Sequence, residues 1–289
     1  MIIMNIRSFY PTWSGNPILL WILFIGLIVV NTSCITGKYA PAEKIYRKKV
    51  KAMGKQLTER PAASQLDKIA WNDKLWAATT NLSIRKPNYV LIHHTAQNST
   101  DQTIRTFQLE RTAVSSHYVI GRDGKVVQMV NDYVRAHHAG VGKWGNDTDL
   151  NSSSIGIEMD NNGTTDPWPE VQIDALIELL KVLKETHRIP RGNFIGHADY
   201  APNRKVDPFR FPWKRLAEEG FGYWYEEEPE TPPASFDPVL ALRIIGYDIR
   251  NIDNAIRAFK IHYIQDESPV HMLNDRDIKV LYSVFKQYL

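Results

Sequence analysis

Residues 88–97 read NYVLIHHTAQ, an apolar run that ends in two adjacent histidines. Tyrosine, valine, leucine and isoleucine in succession are typical of a buried β-strand. Neighbouring side chains on a strand point to opposite faces of its sheet. His93 and His94 therefore cannot easily serve one site, and only one of them is expected to be functional.

A helix and a β-hairpin are predicted after this strand. Ser99-x-x-Gln102 is a capping-box pattern, which predicts that a helix begins here and runs through IRTFQLER. The next segment, SSHYVIGRDGKVVQMV, contains two β-rich runs around Asp123-Gly124. An Asp-Gly pair between such runs is the strongest short signal for a hairpin.

Two further strands are predicted on either side of a long helix. SSSIGIEM (152–159) and NFIGH (193–197) are short β-rich runs. Between them, Pro169 opens PEVQIDALIELLKVLKETHR, in which apolar residues recur at helical spacing. Strands and helices in this order predict an α/β fold, a mixed β-sheet with helices packed on it.

Composition limits the possible partners. The 289 residues suit one catalytic domain and a small accessory domain. A net charge of +3 is too small to indicate nucleic acid binding. We also expect the protein to be a monomer. The basic run KIYRKKVKAMGK (44–55) predicts a solvated helix face, with attraction to an anionic surface as the alternative.

The N-terminus has the pattern of an export signal. Arg7 precedes the uncharged stretch ILLWILFIGLIVV (18–30), which is short for a membrane helix of roughly 20 residues and suits a signal peptide. NTSC follows and ends at Cys34, the only cysteine. This resembles a bacterial lipoprotein signal, in which the cysteine is lipidated, although an asparagine replaces the usual apolar residue. The alternative is an uncleaved anchor through residues 18–35.

These features predict an exported, membrane-anchored lipoprotein that faces the periplasm. With Cys34 as its only cysteine, the chain cannot form an internal disulfide. An exported protein of this kind must rely on its core, and on any bound metal, for stability.

Histidines are concentrated in the predicted catalytic region. Seven of the nine lie between His93 and His197. Catalytic zinc needs three ligands from histidine, aspartate, glutamate or cysteine, with a fourth position open. No HExxH motif is present, so the ligands of any zinc site must come from distant segments. His197 and Asp207, in HADYAPNRKVDP, form a candidate pair.

Five motifs over about residues 88–222 resemble one known family. IHHTA, SSHYVIGRDG, HHAG, SSIGIEMDN and HADYAPNRKVDP have the order and spacing seen in zinc-dependent N-acetylmuramoyl-L-alanine amidases of the amidase type 2 family. That family is related to a phage lysozyme and to the peptidoglycan recognition proteins. The resemblance implies hydrolysis of the amide between N-acetylmuramic acid and L-alanine in peptidoglycan or muropeptides, for cell-wall turnover or recycling.

The resemblance also assigns the central residues. It implies one catalytic zinc ion on His93, His197 and Asp207. Glu158 matches the family's general base, which takes a proton from the attacking water and returns it to the leaving amine. Alternation in SSIGIEM places Glu158 on the same strand face as Ser154 and Gly156. Lys205 matches a lysine that stabilises the oxyanion.

Four further residues match positions of the family, and each has two alternative roles. His117 and His138 either orient ligands or line the cleft. Trp144 either faces a sugar or packs in the core. Arg204 either meets an anionic group of the stem peptide or forms a salt bridge within its loop.

The C-terminal region predicts a helical module behind a linker. EEEPETPPAS is acidic and proline-rich, and three amphipathic segments follow it. The first two resemble helices of a peptidoglycan-binding domain, but its D-G-x-x-G-x-x-T stretch is replaced by QDESPVHMLNDRD, which leaves glycan binding open. The expected order is export signal (1–33), anchor and stalk (34–85), zinc amidase domain (86–225), linker (226–235) and helical peptidoglycan-binding-like domain (236–289).

Two other functions fit the same features. One is a non-catalytic peptidoglycan-binding lipoprotein on the same fold. The other is a wall-tethering lipoprotein whose function depends on Cys34 and the helical module. The complete set of expected zinc ligands favours the enzyme.

Overall fold

The structure, a computed structural model, describes residues 37–58, 81, 83–84, 86–266 and 271–289. The chain forms two units, residues 1–77 and 78–289. Residues 37–58 are the described part of the first unit and contain helix α1 (Ala40–Thr58). The predicted export signal, Cys34 and much of the predicted stalk lie outside the described residues. No helix among the described residues is both long enough and apolar enough to cross a membrane.

A five-stranded sheet organises the second unit, with the strand order β3-β2-β4-β1-β5. Strand β3 pairs with β2 in the antiparallel direction, and the other pairings are parallel. The strands are β1 (Tyr89–His94), β2 (Tyr118–Ile120), β3 (Val126–Gln128), β4 (Ser154–Met159) and β5 (Phe194–Gly196). The prediction of an α/β fold with a mixed sheet is confirmed.

Eight α-helices lie in the described part of the second unit. The side chain of Ser99 caps the first of them by accepting from the backbone N–H of Gln102, and Pro169 directly precedes the longest. A π-helical turn, Lys260–Ile264, continues the helix that ends at Phe259. The helices are α2 (Thr100–Gln108), α3 (Leu150–Ser153), α4 (Glu170–His187), α5 (His197–Tyr200), α6 (Trp213–Glu218), α7 (Pro238–Ile245), α8 (Ile252–Phe259) and α9 (Asp275–Lys286).

The central strands bury both of their faces. On one face, Val90 and Ile92 share a hydrophobic cluster with Ile173, Leu176 and Leu180 of α4. Alternation sends Leu91 to the other face. Burying each such side chain contributes about 1.5–3 kcal/mol, so the near-continuous apolar run of β1 holds the sheet between two layers.

The C-terminal helices form the second of these layers. Leu91 of β1 and Ile195 of β5 share one cluster with Leu242 of α7, Phe259 of α8 and Leu281 of α9. The three helices predicted from the sequence are present, and they share a core with the sheet. Residues 226–235, the predicted linker, lie within the same unit.

Strand register places the ends of three strands side by side. His93 of β1 is paired with Glu158 of β4, and Ile92 is paired with Gly196 of β5. His197 follows Gly196 directly, at the carboxyl edge of the sheet. Ligands of α/β proteins typically bind at this edge, because loops from neighbouring strands meet there.

Candidate active site

Three side chains converge at this edge. His93 Nδ1 lies 2.9 Å from His197 Nδ1 and 3.2 Å from Asp207 Oδ2, and His197 Nδ1 lies 3.1 Å from the same oxygen. All three residues are buried. Two imidazole nitrogens and one carboxylate oxygen thus form a nearly regular triangle.

The triangle fits a zinc ion. Zinc takes nitrogen and oxygen ligands at about 2.0–2.1 Å, which in a tetrahedron separates the ligand atoms by roughly 3.3 Å. The edges of the triangle are close to this length. Within the part of the chain that the structure describes, these three residues are the group with the geometry to hold a metal ion.

Hydrogen bonds on the far side of each ring support this role. His197 Nε2 donates to the carbonyl of Ala139 at 2.8 Å, which leaves the lone pair of Nδ1 facing the triangle. His93 Nε2 lies 3.1 Å from His138 Nδ1 and donates to it in the tautomer that a metal ligand requires. Such partners fix the orientation of ligating histidines.

The electrostatics give His93 and Asp207 the protonation states of metal ligands. Burial, followed by the charge of His197, lowers the pKa of His93 to about 4. Burial would raise the pKa of Asp207, but hydrogen bonds and charge from His197 and His93 hold it well below its usual range. Neutral imidazole beside an ionised carboxylate is the state that binds metal.

Glu158 lies beside the triangle as a buried carboxyl. Its side chain is 9% exposed, and its Oε2 has no hydrogen-bond partner among the described residues. Burial and the charge of Asp207 raise the pKa of Glu158 well above its ordinary value, while Lys205 acts in the opposite direction. A raised carboxyl pKa suits proton transfer near neutral pH.

A cleft opens over these groups. It has a volume of about 330 Å³, and Glu158 and Lys205 line it together with the three residues of the triangle. Its apolar wall contains Phe107, Val114 and Val206. A cleft that joins a metal-binding triangle to a buried carboxyl and a lysine has the groups required for hydrolysis of an amide.

Comparison with known proteins identifies the family. A family model described as N-acetylmuramoyl-L-alanine amidase matches residues 83–210. Over 206 residues the chain is 34% identical to the N-acetylmuramoyl-L-alanine amidase AmiD of Escherichia coli, covering 60% of this chain and 74% of AmiD. The chain belongs to the N-acetylmuramoyl-L-alanine amidase family. This amidase is also 34% identical to the 1,6-anhydro-N-acetylmuramyl-L-alanine amidase AmpD of Haemophilus influenzae, over 37% of this chain and 59% of AmpD.

Solved structures share the fold of the amidase. AmiD from E. coli, in complex with anhydro-N-acetylmuramic acid-L-Ala-D-γ-Glu-L-Lys, has a TM-score of 0.62 at 28% identity and covers 73% of this chain and 93% of AmiD. AmpDh3 from Pseudomonas aeruginosa, in complex with anhydromuramic pentapeptide, has a TM-score of 0.63 at 27% identity, over 76% of this chain and 99% of AmpDh3. The predicted family is confirmed.

Two further histidines of the amidase lie in different places. His138 lines the cleft, and its ring lies so close to β4 that a Cβ at Gly156 would be 2.4 Å from it. His117 does not line the cleft: its Nδ1 accepts from the Gly156 N–H at 3.0 Å and its Nε2 donates to the Val134 carbonyl at 3.0 Å. His117 thus joins the segment after β3 to the central sheet.

Arg204 and Trp144 both contact other residues of the protein: Arg204 forms hydrogen bonds, and Trp144 packs against an aromatic ring. Arg204 donates to the carbonyls of Ala139 at 2.5 Å and Val141 at 2.8 Å, so it holds the end of HHAG and the residue after it while also lining the cleft. Trp144 is 5% exposed and packs on Tyr247 with ring centroids 5.0 Å apart. Of its two predicted roles, the structure places Trp144 in the core.

His94 lies away from the triangle but borders the cleft. Its Nδ1 accepts from the backbone N–H of Phe209 at 3.3 Å, and its ring fills the space over Gly163. His93 and His94 thus lie in different positions, and their different roles stay a prediction.

A group of C-terminal residues that no sequence pattern indicated contacts the segment between His197 and Asp207. Tyr247 and His262 hydrogen-bond to Asp199, and Arg257 hydrogen-bonds to two carbonyls of the loop that carries Lys205. The one available sequence signal was the aspartate of HADY, Asp199, whose partners follow much later in the chain.

Proposed function

We propose that this amidase is a zinc hydrolase that cleaves the amide between N-acetylmuramic acid and L-alanine in peptidoglycan or muropeptides, in cell-wall turnover or recycling. The observation that carries the proposal is the triangle of His93, His197 and Asp207 beside the buried Glu158. The muramyl peptides bound to AmiD and AmpDh3 support the substrate class.

Each proposed residue has one chemical task. Zinc held by His93, His197 and Asp207 would supply a Lewis acid that activates water and polarises the scissile carbonyl. Glu158 accepts a proton from the attacking water and returns it to the nitrogen of L-alanine as the C–N bond breaks. The ammonium group of Lys205 stabilises the carbonyl oxygen while it carries negative charge. The products are a lactyl carboxylate and a peptide with a free amino group.

The buried carboxyl favours hydrolysis over recognition alone. Burying Glu158 without a hydrogen-bond partner for Oε2 costs folding free energy. A carboxyl with a raised pKa suits a general base, because such a base must take a proton from water near neutral pH. This supports the enzyme over the non-catalytic lipoprotein.

Muropeptide digestion tests the proposed function. We expect the zinc-loaded protein to release free stem peptide, a chelator to abolish the release, and added zinc to restore it. Mass spectrometry of the products identifies the cleaved bond. If the zinc-loaded protein leaves the lactyl–alanine bond intact, the hydrolase proposal is wrong and a binding role is favoured.

We further propose that the protein is exported and held on a membrane facing the periplasm by a lipid on Cys34. Helix α1 begins shortly after this cysteine and contains one acidic residue, Glu43. Val50, Met53 and Leu57 are exposed and recur on one helix face. An amphipathic basic helix is attracted to anionic headgroups. The six basic residues of α1 are Lys44, Arg47, Lys48, Lys49, Lys51 and Lys55.

A Cys34→Ser variant distinguishes the two forms of anchor. If Cys34 carries the lipid, we expect the wild type to lack residues 1–33 and to carry the mass of an acyl lipid, and the Cys34→Ser variant to lose that lipid mass. Cell fractionation and intact-protein mass spectrometry provide the measurement. A wild-type protein that retains residues 1–33 and carries no lipid mass indicates an uncleaved anchor.

A further inference from the structure

The loop that carries Lys205 begins and ends at proposed metal ligands. We call residues 197–207, from His197 to Asp207, the ligand loop. The backbone N–H of Ala198 donates to the carbonyl of Asp207 at 2.7 Å and so closes the loop at its base. Lys205 lies near the far end and lines the cleft. The position of this loop therefore sets the positions of two ligands and the lysine together.

Arg257 of α8 binds the ligand loop from the side of the C-terminal helices. Its Nη1 donates to the carbonyl of Pro202 at 3.0 Å and to the carbonyl of Lys205 at 3.3 Å. Because the carbonyl carbon of Lys205 is bonded to its Cα, Arg257 fixes the point from which the lysine side chain extends.

A second contact binds the start of the ligand loop. Asp199, two residues after His197, accepts from the Gly196 N–H at 2.8 Å, from the Tyr247 hydroxyl at 2.9 Å and from His262 Nδ1 at 2.7 Å. All of these side chains are buried. The ring of His262 is itself held by stacking on Trp213, with centroids 4.1 Å apart.

We propose that the C-terminal helices are part of the catalytic unit, with Arg257 as the residue that positions Lys205 and His262 as the residue that orients α5 and its ligand His197. The inference rests on the proposed function, in which Lys205 contacts the reacting oxygen. It assigns the helical module a role in catalysis that does not depend on glycan binding.

A double-mutant cycle in the full-length zinc-loaded protein tests the role of Arg257. We expect Arg257→Ala to lower kcat about tenfold with KM within about twofold, because it displaces Lys205 without removing it; losing such a donor outright costs about 10²–10³-fold. In the Lys205→Ala background, Arg257→Ala should cause no further loss, since coupled residues are not additive. If the fold losses of kcat in the two single variants multiply in the double variant, the proposal is overturned, because Arg257 then does not act through Lys205.

Matched variants separate positioning from folding. Arg257→Lys keeps a charged donor and should restore part of kcat. Arg243→Ala removes an exposed arginine from α7 of the same module and should behave like the wild type. If Arg257→Ala does not fold, Arg257→Gln replaces it in the same cycle. The proposal then depends on whether Arg257→Gln lowers kcat further in the Lys205→Ala background. An inactive wild type would contradict the proposed function instead.

Zinc affinity tests the second contact without using turnover. We expect His262→Ala to weaken zinc binding about 10–100-fold, the usual cost of losing a group that orients a ligand. His262→Gln keeps an N–H donor for Asp199 and should bind zinc nearly as tightly as the wild type. Titration of the metal-free proteins against a competing chelator measures both. Unchanged zinc affinity in a folded His262→Ala variant would overturn the role of His262.

Discussion

Replacing Glu158 with glutamine is expected to lower kcat by about 10²–10⁴-fold, the typical contribution of general acid–base catalysis. The amide keeps the shape of the side chain but cannot accept a proton from water. Because Glu158 lies outside the metal-binding triangle, the variant should still bind one zinc ion per chain. Steady-state kinetics on muropeptides and metal analysis of the purified variant provide the test.

Glu158→Gln should also stabilise the metal-free fold. The pKa of Glu158 is raised by burial and by the charge of Asp207, so the folded state holds this proton more tightly than the unfolded state does. The free energy of unfolding is therefore unaffected below the ordinary glutamate pKa and falls as the pH rises from there towards the raised pKa of Glu158. Glutamine removes this fall, so the unfolding midpoint should rise at neutral pH and change little at acidic pH. Normal turnover together with a lowered midpoint would contradict the assigned role.

Substitution of His93 should strongly weaken zinc binding, whereas the same change at His94 should not. His93→Ala removes one of three ligands, and we expect zinc affinity to fall by more than the roughly 10–100-fold that loss of an orienting partner costs. His94→Ala removes an imidazole of equal size from the next residue of the same strand, so it is a close control. Its Nδ1 accepts from Phe209 and does not join the triangle.

Metal analysis of the two purified variants, followed by competition with a chelator, measures this difference. Stoichiometric zinc in His94→Ala and little or none in His93→Ala is the expected result. The reverse pattern would exchange the roles of the two histidines.

Local patterns predicted the elements of the fold because each pattern is complete within a few residues. Alternation in SSIGIEM placed Gly156 and Glu158 on one face of the strand. In the structure, the ring of His138, which lines the cleft, lies over Gly156. The capping box at Ser99 and the proline before α4 mark the helix starts that the structure has. Secondary structure and the α/β class followed from such signals.

Contacts between distant segments could not be predicted in this way. Spacing left His197 and Asp207 as a weak candidate pair, and resemblance to the family supplied their partner His93. Arg257 donates to the carbonyl of Pro202, 55 residues earlier, and a bond to a backbone carbonyl places no demand on the type of side chain there. The amphipathic pattern of the C-terminal helices gave an apolar face but not the surface that covers it.

The contact between Gly156 and His138 has an evolutionary consequence. The imidazole occupies the space that a side chain at residue 156 would need, since a Cβ there would lie 2.4 Å from the ring. Even alanine at this position would push the ring away from His93, to which it is hydrogen-bonded in the proposed metal-binding state. Residue 156 can therefore gain a side chain only if residue 138 also changes, so divergence of this strand is limited by a residue that a different loop supplies.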